Sequence, residues 1–379
     1  MKVINATWFP NNPAAPRGGV EAVSVNLARS LARLDDLDVH VVTTDRTCRS
    51  VSETAWEGAT IHRLPWAGGK TLTHAVGAGR RQMTEYLTAL KPDVIHAHDT
   101  YGLMVMGLPL PRVFTIHGFI HEDTLINGGR WAWLRSRLWR RAELAGWADQ
   151  PHIISISPYV RERLRGIASG VIHDIENPVA EECFRIPRQE QKRTVFSAAI
   201  ISPRKNTLGL IEAFARVLDA RGEVQLRLAG SSSNPDYEQR VRECIRARGL
   251  GERVTLLGNI GVEQVREELA RASVFALVSL EEGAPMGVAE AMAAGVPVVT
   301  SNRCGMPYMV RDGESGFLVN PEDPADVARR LRHLLDDDTL RAQMGRRGRE
   351  LAQERYHPDR VAWRTREVYR AAVRSPREA

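Results

Sequence analysis

Short apolar runs alternate with longer amphipathic stretches along most of this chain. The runs at residues 39–44 and 93–98 have the length of buried strands, whereas the apolar residues between 20 and 34 recur near the 3.6-residue period of a helix. Alternation of this kind is typical of parallel sheets covered by helices on both faces. The sequence therefore predicts an α/β protein built from doubly wound, Rossmann-like sheets.

The alternation occurs twice, and the 379 residues are enough for two domains. A charged stretch at 177–193, which contains two prolines, separates the two halves, and we interpret it as the interdomain linker. The boundaries are predicted at 1–178 and 179–356. Two such domains would face each other across a cleft, with ligands bound beyond the carboxyl ends of the strands.

Composition narrows the class of protein only partly. A hydrophobic fraction of 43% and a charged fraction of 26% exclude disordered and fibrous chains. The 4 cysteines are too scattered for a disulfide framework or a zinc motif. We find neither a secretory leader nor a run of about 20 apolar residues, so a cytoplasmic location is expected. The net charge of +6 is compatible with phosphate ligands, an anionic membrane or nucleic acid.

The strongest motif is a pair of acids, Glu282 and Glu290, that follows an apolar strand. The glycine- and proline-rich segment between them would expose N–H groups at a helix N-terminus, which binds anions. A carboxylate in the helix can accept hydrogen bonds from both hydroxyls of a ribose, and one on the loop can bind a second sugar. Taken singly, a helix-terminal acid favoured by the dipole and a surface loop acid explain them equally well.

Two shorter motifs lie at the corresponding place in other strand–helix connections. Gly18 and Gly19 stand between the first strand and the first helix, and Arg204 and Lys205 follow the first strand of the second half. Glycines permit close backbone approach to an anion, and adjacent cations suit a diphosphate. Each motif alone is equally compatible with a plain loop or a solvated surface.

Together these motifs resemble the retaining nucleotide-sugar glycosyltransferases of family 4, which have the GT-B fold. Besides the two acids and the cation pair, the resemblance rests on the N-terminal Gly-Gly, the sequence Thr-Ile-His-Gly at 115–118 and residues 312–319. It runs nearly from end to end of the chain.

The resemblance implies transfer of a sugar from a nucleoside diphosphate to an acceptor hydroxyl, with no metal and no cofactor besides this co-substrate. It implies that the first domain serves the acceptor, that the second binds the donor, and that a helix within 357–379 packs back on the first. The catalytic residues it implies are His117, Arg204, Lys205 and Glu282. The donor-binding residues it implies are Gly18, Gly19, Ala284, Pro285, Met286, Gly287 and Glu290.

Three acceptor-side candidates, His98, Asp99 and Phe119, lie at or just beyond the ends of predicted strands. The donor loop departs from the family pattern, since an aromatic residue is missing and Pro285 lacks an N–H group. Two other functions therefore stay open, a nucleotide-sugar 2-epimerase and a non-catalytic binding protein. The sequence does not identify the donor's base, its sugar or the acceptor.

The helix predicted at 130–147 combines Trp131, Leu134 and Leu138 on one face with flanking arginines. This face could pack on the first domain, lie on an anionic membrane surface, or frame an anionic, lipid-linked acceptor. We expect no nucleic-acid partner, because no recognised binding module occurs. Asp36 and Asp38 form an Asp-x-Asp sequence at the wrong end of a strand for a ligand, and we interpret them as a solvated turn.

Overall fold

The computed structural model describes residues 1–218, 224–232 and 234–374. The chain divides into two compact units. Unit 1 contains Met1–Pro178 and the described residues from Pro358 onward, and unit 2 contains Val179–His357.

Unit 1 is a doubly wound sheet with helices on both faces. Its strands are β1 (Lys2–Ala6), β2 (Asp38–Asp45), β3 (Ser52–Trp56), β4 (Ala59–Pro65), β5 (Val94–His98), β6 (Arg112–Ile116), β7 (His152–Ser155) and β8 (Val171–Asp174). Its helices are α1 (Gly19–Leu31), α2 (Thr71–Val76), α3 (Ala78–Leu90), α4 (Thr100–Met104), α5 (Ile120–Ile126), α6 (Ala132–Ala148), α7 (Pro158–Arg163) and α14 (Pro358–Arg374). The strand order is β3-β4-β2-β1-β5-β6-β7-β8.

All neighbouring strands of unit 1 run parallel except β3, which pairs antiparallel with β4 at the sheet edge. The pattern of apolar residues did not predict β3, because its side chains are polar or exposed. The central strands β1, β5 and β6 are almost entirely buried. Burial on both faces is what parallel strands of this class require.

The last described helix, α14, packs against α1 in unit 1. Its inward residues Val361, Val368 and Tyr369 belong to the same core cluster as Val3 of β1. The Tyr369 hydroxyl lies 2.8 Å from Nδ1 of His96 and donates to Asn5. His96 is therefore a buried, hydrogen-bonded residue of the core.

Unit 2 contains a six-stranded, fully parallel sheet in the order β11-β10-β9-β12-β13-β14. Its strands are β9 (Thr194–Ala198), β10 (Gln225–Ala229), β11 (Val254–Gly258), β12 (Val274–Leu277), β13 (Val298–Ser301) and β14 (Gly316–Val319). Its α-helices are α8 (Thr207–Leu218), α9 (Pro235–Ala247), α10 (Val262–Arg271), α11 (Met286–Ala293), α12 (Pro324–Asp336) and α13 (Asp338–Arg355). The prediction of doubly wound parallel sheets is confirmed.

The linker prediction for 177–193 is wrong beyond residue 178. A 3₁₀ helix at Glu181–Arg185 packs on α11, and its Cys183 and Phe184 side chains are buried in the core of unit 2. The segment is charged and contains prolines, but its apolar side chains, which lie between the charged ones, are buried in the core of unit 2. Among the described residues, the structure contains no helix with the length and apolar character needed to cross a membrane.

Candidate functional site

The carboxyl ends of β9 and β12 place the predicted cations and acids side by side in unit 2. The two strands are hydrogen-bonded neighbours, and each is followed by a loop and then a helix. Arg204 and Lys205 lie on the loop after β9, and Glu282 lies on the loop after β12. The main-chain N–H of Leu280 donates to the carbonyl of Arg204 at 2.8 Å, which fastens one loop to the other.

The four charged side chains at this edge form one ionic cluster. The Arg204 guanidinium lies 3.4 Å from a carboxylate oxygen of Glu281 and 3.4 Å from one of Glu282. The Lys205 ammonium contacts the Glu282 carboxylate directly. These side chains are at most 18% exposed, so their charges are poorly screened by water. An anionic ligand that binds the cations would compete with the two carboxylates.

Sequence reasoning missed Glu281, which also accepts from Arg204. The sequence feature that could have identified it is the pair of consecutive glutamates just after an apolar strand. Its partner is 77 residues away, so the contact becomes visible only when the register of β9 and β12 is known.

Helix α11 begins directly beyond this cluster. Pro285 caps it in an extended conformation, and Met286 and Gly287 occupy its first two positions. The first N–H groups of a helix have no acceptor within the helix, so the amides of Met286 and Gly287 are available to an anion. Ala284 precedes the cap and is partly buried. The predicted donor loop thus combines N–H donors with nearby cations.

Close backbone packing shapes this loop at two glycines. A Cβ at Gly305 would lie 1.6 Å from the carbonyl oxygen of Gly283, and the Gly305 N–H donates to the Glu282 carbonyl at 2.8 Å. A Cβ at Gly287 would lie 3.1 Å from the Ala198 carbonyl oxygen. The absence of a side chain at Gly305 lets the loops after β12 and β13 approach each other, and its absence at Gly287 lets the start of α11 approach the end of β9.

Glu290 is the fifth residue of α11, about 6 Å along the axis from its first residue at the usual helical rise. Burial raises the pKa of the Glu290 carboxyl, against the lowering effect of the Arg266 charge. Burial, and then the Glu290 charge, raise the pKa of the Cys183 thiol. The carboxylate therefore lies in a partly apolar setting beside the 3₁₀ helix, where a hydrogen-bond donor from a ligand would be strongly favoured.

In unit 1, the ends of β5 and β6 bring together three predicted residues. Nδ1 of His98 lies 2.9 Å from Nε2 of His117. The main-chain N–H of His117 donates to Asp99 Oδ1 at 2.8 Å. His117 is partly exposed and His98 is buried behind it, so His98 positions His117 rather than facing a ligand.

Burial dominates the electrostatics of this cluster. It lowers the pKa of His117 to about 4, against the opposing effect of a hydrogen bond with Asn177. It also lowers the pKa of His98 well below the usual value, aided by the charges of His96 and His117. Burial raises the pKa of Asp99 to about 7, although the His117 N–H acts in the opposite direction. Near neutral pH the imidazoles are therefore uncharged hydrogen-bonding groups.

Phe119 does not occupy the surface position that an acceptor contact needs. Its side chain is 1% exposed and packs edge-on against Trp147 and Tyr159, with the Arg163 guanidinium 4.7 Å from the ring centre. The prediction that Phe119 contacts the acceptor is therefore corrected, because its side chain, at the N-cap of α5, is buried among aromatic rings.

Sequence reasoning also missed Glu143, which organises the start of α5. Its buried carboxylate accepts from the main-chain N–H groups of Ile120 and His121 and lies 2.7 Å from Nδ1 of His121. A negative charge at a helix N-terminus is stabilised by the helix dipole. Glu143 thus fixes the segment that follows His117.

Gly18 and Gly19 lie where the sequence placed them, at the N-terminus of the 13-residue α1. Gly18 is the N-cap, and both glycines are exposed. An added Cβ at Gly18 would meet no atom within 4 Å. The helix terminus is therefore open to an incoming group.

The Asp-x-Asp sequence has a structural explanation. Asp36 lies in the turn before β2, and its carboxylate accepts from Arg366 and Arg370 of α14. Asp38 begins β2 and lies 3.2 Å from His40. Across residues 1–218, 224–232 and 234–374, no three His, Cys, Asp or Glu side chains are grouped as a metal site would require.

Of the three roles that the sequence left open for the apolar face of α6, packing against the first domain is not the one that the structure shows. The inward side chains are Ser136, Glu143 and Trp147, whereas Leu134 and Leu138 are 41% and 52% exposed. Polar contacts explain the orientation, because Ser136 donates to the His121 carbonyl at 2.7 Å and Glu143 binds the start of α5.

Comparison with known proteins identifies the family. The model of Glycosyltransferase Family 4 matches residues 17–182, and that of Glycosyl transferases group 1 matches residues 179–351. A D-inositol 3-phosphate glycosyltransferase of Streptomyces avermitilis is 36% identical over 186 residues, which are 48% of this chain and 40% of that protein. The chain thus spans less than half the length of this curated relative.

Solved structures share the architecture at low sequence identity. Sucrose-phosphate synthase from Thermosynechococcus elongatus superimposes with a TM-score of 0.82 at 21% identity, over 99% of this chain and 100% of its own. The Anabaena protein HepE, solved with UDP and glucose, gives a TM-score of 0.76 at 17% identity, over 98% and 100% of the two chains. The two family models together with this shared fold show that the chain belongs to glycosyltransferase family 4 and has the GT-B fold.

Proposed function

We propose that this protein transfers a sugar from a nucleoside diphosphate to an acceptor hydroxyl, with retention of anomeric configuration and without a metal ion. The observation that carries the proposal is the ionic cluster at the ends of β9 and β12, next to the start of α11. It places two cations and two carboxylates next to the N-terminus of a helix.

In the proposed reaction, the bond between the anomeric carbon and the β-phosphate oxygen breaks and a bond to the acceptor oxygen forms. The acceptor proton passes to the departing diphosphate. Arg204 and Lys205 stabilise the negative charge that develops on this diphosphate, so their contribution is greatest in the transition state. A preorganised pair of cations can perform this task without a metal.

The two acids of the motif take separate roles in donor binding. We assign Glu282 to the hydroxyls of the transferred sugar and Glu290 to the ribose, because an ionised carboxylate accepts several hydrogen bonds. The amides of Met286 and Gly287 are assigned to donor oxygens. The roles of Gly18, Gly19 and His117 toward the substrates rest on the family resemblance. The roles of His98 and Asp99 behind His117 rest on their hydrogen bonds with it.

Nucleotide binding followed by product analysis tests this function. UDP, GDP and ADP are screened by thermal shift, since a ligand that binds the native state raises the melting temperature. The corresponding sugar nucleotides are then followed by NMR, with and without EDTA. Release or transfer of the sugar with its original anomeric configuration, unchanged by EDTA, supports the proposal. Inversion at C2 of the sugar would indicate an epimerase, and tight binding without turnover would indicate a binding protein.

A further inference from the structure

The connection between α5 and α6 carries a concentration of exposed apolar side chains. Leu125, Trp131, Trp133, Leu134 and Leu138 are 41–57% exposed, and they are five of the twelve large apolar side chains exposed in the described part of the chain. All five lie within 14 residues. Scattered exposed apolar residues are normal in a protein, but a contiguous group marks an interaction surface. We call this group, with the arginines described next, the α5–α6 tip.

The same segment is strongly basic. Residues 128–142 contain five arginines, at positions 130, 135, 137, 140 and 141, and all five are exposed. They contain no acidic residue. The next acid, Glu143, is buried against His121, and Glu122 of α5 pairs with Arg163. The charge of the tip is therefore not neutralised by acids within it.

The apolar and inward faces of α6 are separated by the helix geometry. Leu134 and Leu138 are each two residues from the buried Ser136, which places them about 160° around the helix from it. Since Ser136 and Glu143 hold the polar face against α5, the face that carries Leu134 and Leu138 cannot turn inward without breaking those hydrogen bonds. The fold therefore holds this face toward solvent.

We propose that the α5–α6 tip docks on the surface of an anionic lipid bilayer. Tryptophan rings and leucines suit the boundary between headgroups and acyl chains, and arginines pair with lipid phosphates. A second copy of this chain is a poorer occupant, because a twofold contact would bring two sets of uncompensated arginines together. The proposal does not depend on the transferase activity, and it requires no membrane-spanning helix.

Vesicle binding of the full chain tests the proposal. Sedimentation compares vesicles of phosphatidylcholine with vesicles in which about a third of the lipid is phosphatidylglycerol, at low and high salt. We expect at least tenfold tighter binding to the anionic vesicles and a marked loss at high salt. Lipids brominated near the headgroup should quench part of the tryptophan fluorescence of the bound protein.

Two double variants separate the contributions of the tryptophans and of the arginines to vesicle binding. Trp131→Ser with Trp133→Ser removes apolar anchors, and Arg137→Gln with Arg141→Gln removes charge. Each should weaken binding to anionic vesicles at least tenfold and leave the melting temperature almost unchanged, since all four side chains are exposed. The first variant should also lose most of the quenching by brominated lipid.

Matched controls lie elsewhere in the chain. Trp363 is 53% exposed on α14, and Arg346 and Arg360 are exposed on α13 and α14. Trp363→Ser and the pair Arg346→Gln with Arg360→Gln should bind vesicles within twofold of the wild type. Equal binding to both vesicle types, or wild-type binding by both tip variants, would overturn the proposal. A dimer that forms without vesicle binding and is abolished by the tryptophan changes would assign the tip to self-association instead.

Discussion

The imidazole rings of His98 and His117 lie with their planes 4° apart, and Nδ1 of the first is 2.9 Å from Nε2 of the second. One of these two nitrogens must carry the shared proton while the other accepts it. Because burial keeps both rings neutral near pH 7, the tautomer of the partly exposed His117 is coupled to that of the buried His98. A substitution at His98 therefore acts on the site through His117.

The buried histidines predict a loss of stability in acid. Burial lowers the pKa of His96 to about 3 and that of His117 to about 4, and it lowers that of His98 strongly. The unfolded chain binds these protons near pH 6.5. Between about pH 6.5 and 4 the unfolded state therefore binds more protons on the histidines, and their contribution to stability falls as the pH is lowered.

Asp99 acts in the opposite sense, because its pKa in the native state is raised to about 7. It takes up a proton in the folded protein before it does so in the unfolded chain. Because the three histidines destabilise the folded state as the pH falls and, of these four groups, only Asp99 stabilises it, we expect the free energy of unfolding to fall in acid. Urea unfolding between about pH 7 and pH 5 measures the slope. His98→Asn should reduce it by about 1 kcal/mol per pH unit on average over this range, because the unfolded-state histidine is only partly protonated near pH 7, and an unchanged slope would contradict the assignment.

Because Lys205 contacts Glu282, a single and a double variant of this pair should separate its effect on stability from its effect on turnover. Lys205→Met leaves a buried carboxylate with less compensation, and we expect it to lower the free energy of unfolding by about 3 kcal/mol and to lower turnover at saturating donor. The double variant Lys205→Met with Glu282→Gln should regain much of the stability, because the unmatched charge is removed. It should regain none of the turnover.

Urea unfolding measures the stability of these variants, and initial rates with a sugar nucleotide measure their turnover. Recovery of turnover together with stability in the double variant would mean that the pair only supports the fold. Arg242→Gln, on the surface of α9, provides a control outside the cluster. Among the ion pairs described, the Arg242 guanidinium pairs only with Glu238, and the Arg242 side chain is 59% exposed. We therefore expect its substitution to change the free energy of unfolding by less than about 0.5 kcal/mol.

Glu290→Gln should weaken nucleotide binding while preserving the fold. The amide keeps the shape of the side chain but loses the charge that strengthens hydrogen bonds to ribose hydroxyls, so we expect an affinity about 10- to 100-fold lower. The melting temperature of the free protein should stay the same or rise, because burial disfavours this charge. Calorimetric titration with the nucleoside diphosphate measures the affinity. Glu350→Gln, at a 61% exposed position on α13, should bind as the wild type does.

Tyr369→Phe should destabilise unit 1 alone. Loss of the hydroxyl leaves Nδ1 of the buried His96 without the partner 2.8 Å away, and an unsatisfied buried group costs about 1–3 kcal/mol. Amide hydrogen exchange should show faster exchange in β1 and β5, with unchanged protection in the strands of unit 2. Equal loss of protection in both units would show that they unfold as one.

The sequence predicted what depends on local patterning. The fold class followed from alternating strands and helices, and the helix N-terminus predicted between Glu282 and Glu290 is found at Met286. The sequence pattern did not predict contacts between residues far apart in the chain. The pairing of Arg204 with Glu281 depends on strand register, and the inward orientation of Ser136 depends on a carbonyl of another helix. The edge strand β3 was missed because polar side chains give no apolar signal.

The return of α14 to unit 1 constrains the order in which a newly made chain can fold. Unit 2 is complete once residue 357 has been synthesised. Unit 1, although β1 is made before any strand of unit 2, lacks Val361, Val368 and Tyr369 of its core until the residues beyond 357 have also been synthesised. Unit 2 can therefore reach its native state before unit 1, and α14 completes the core of a unit whose strands were all made earlier.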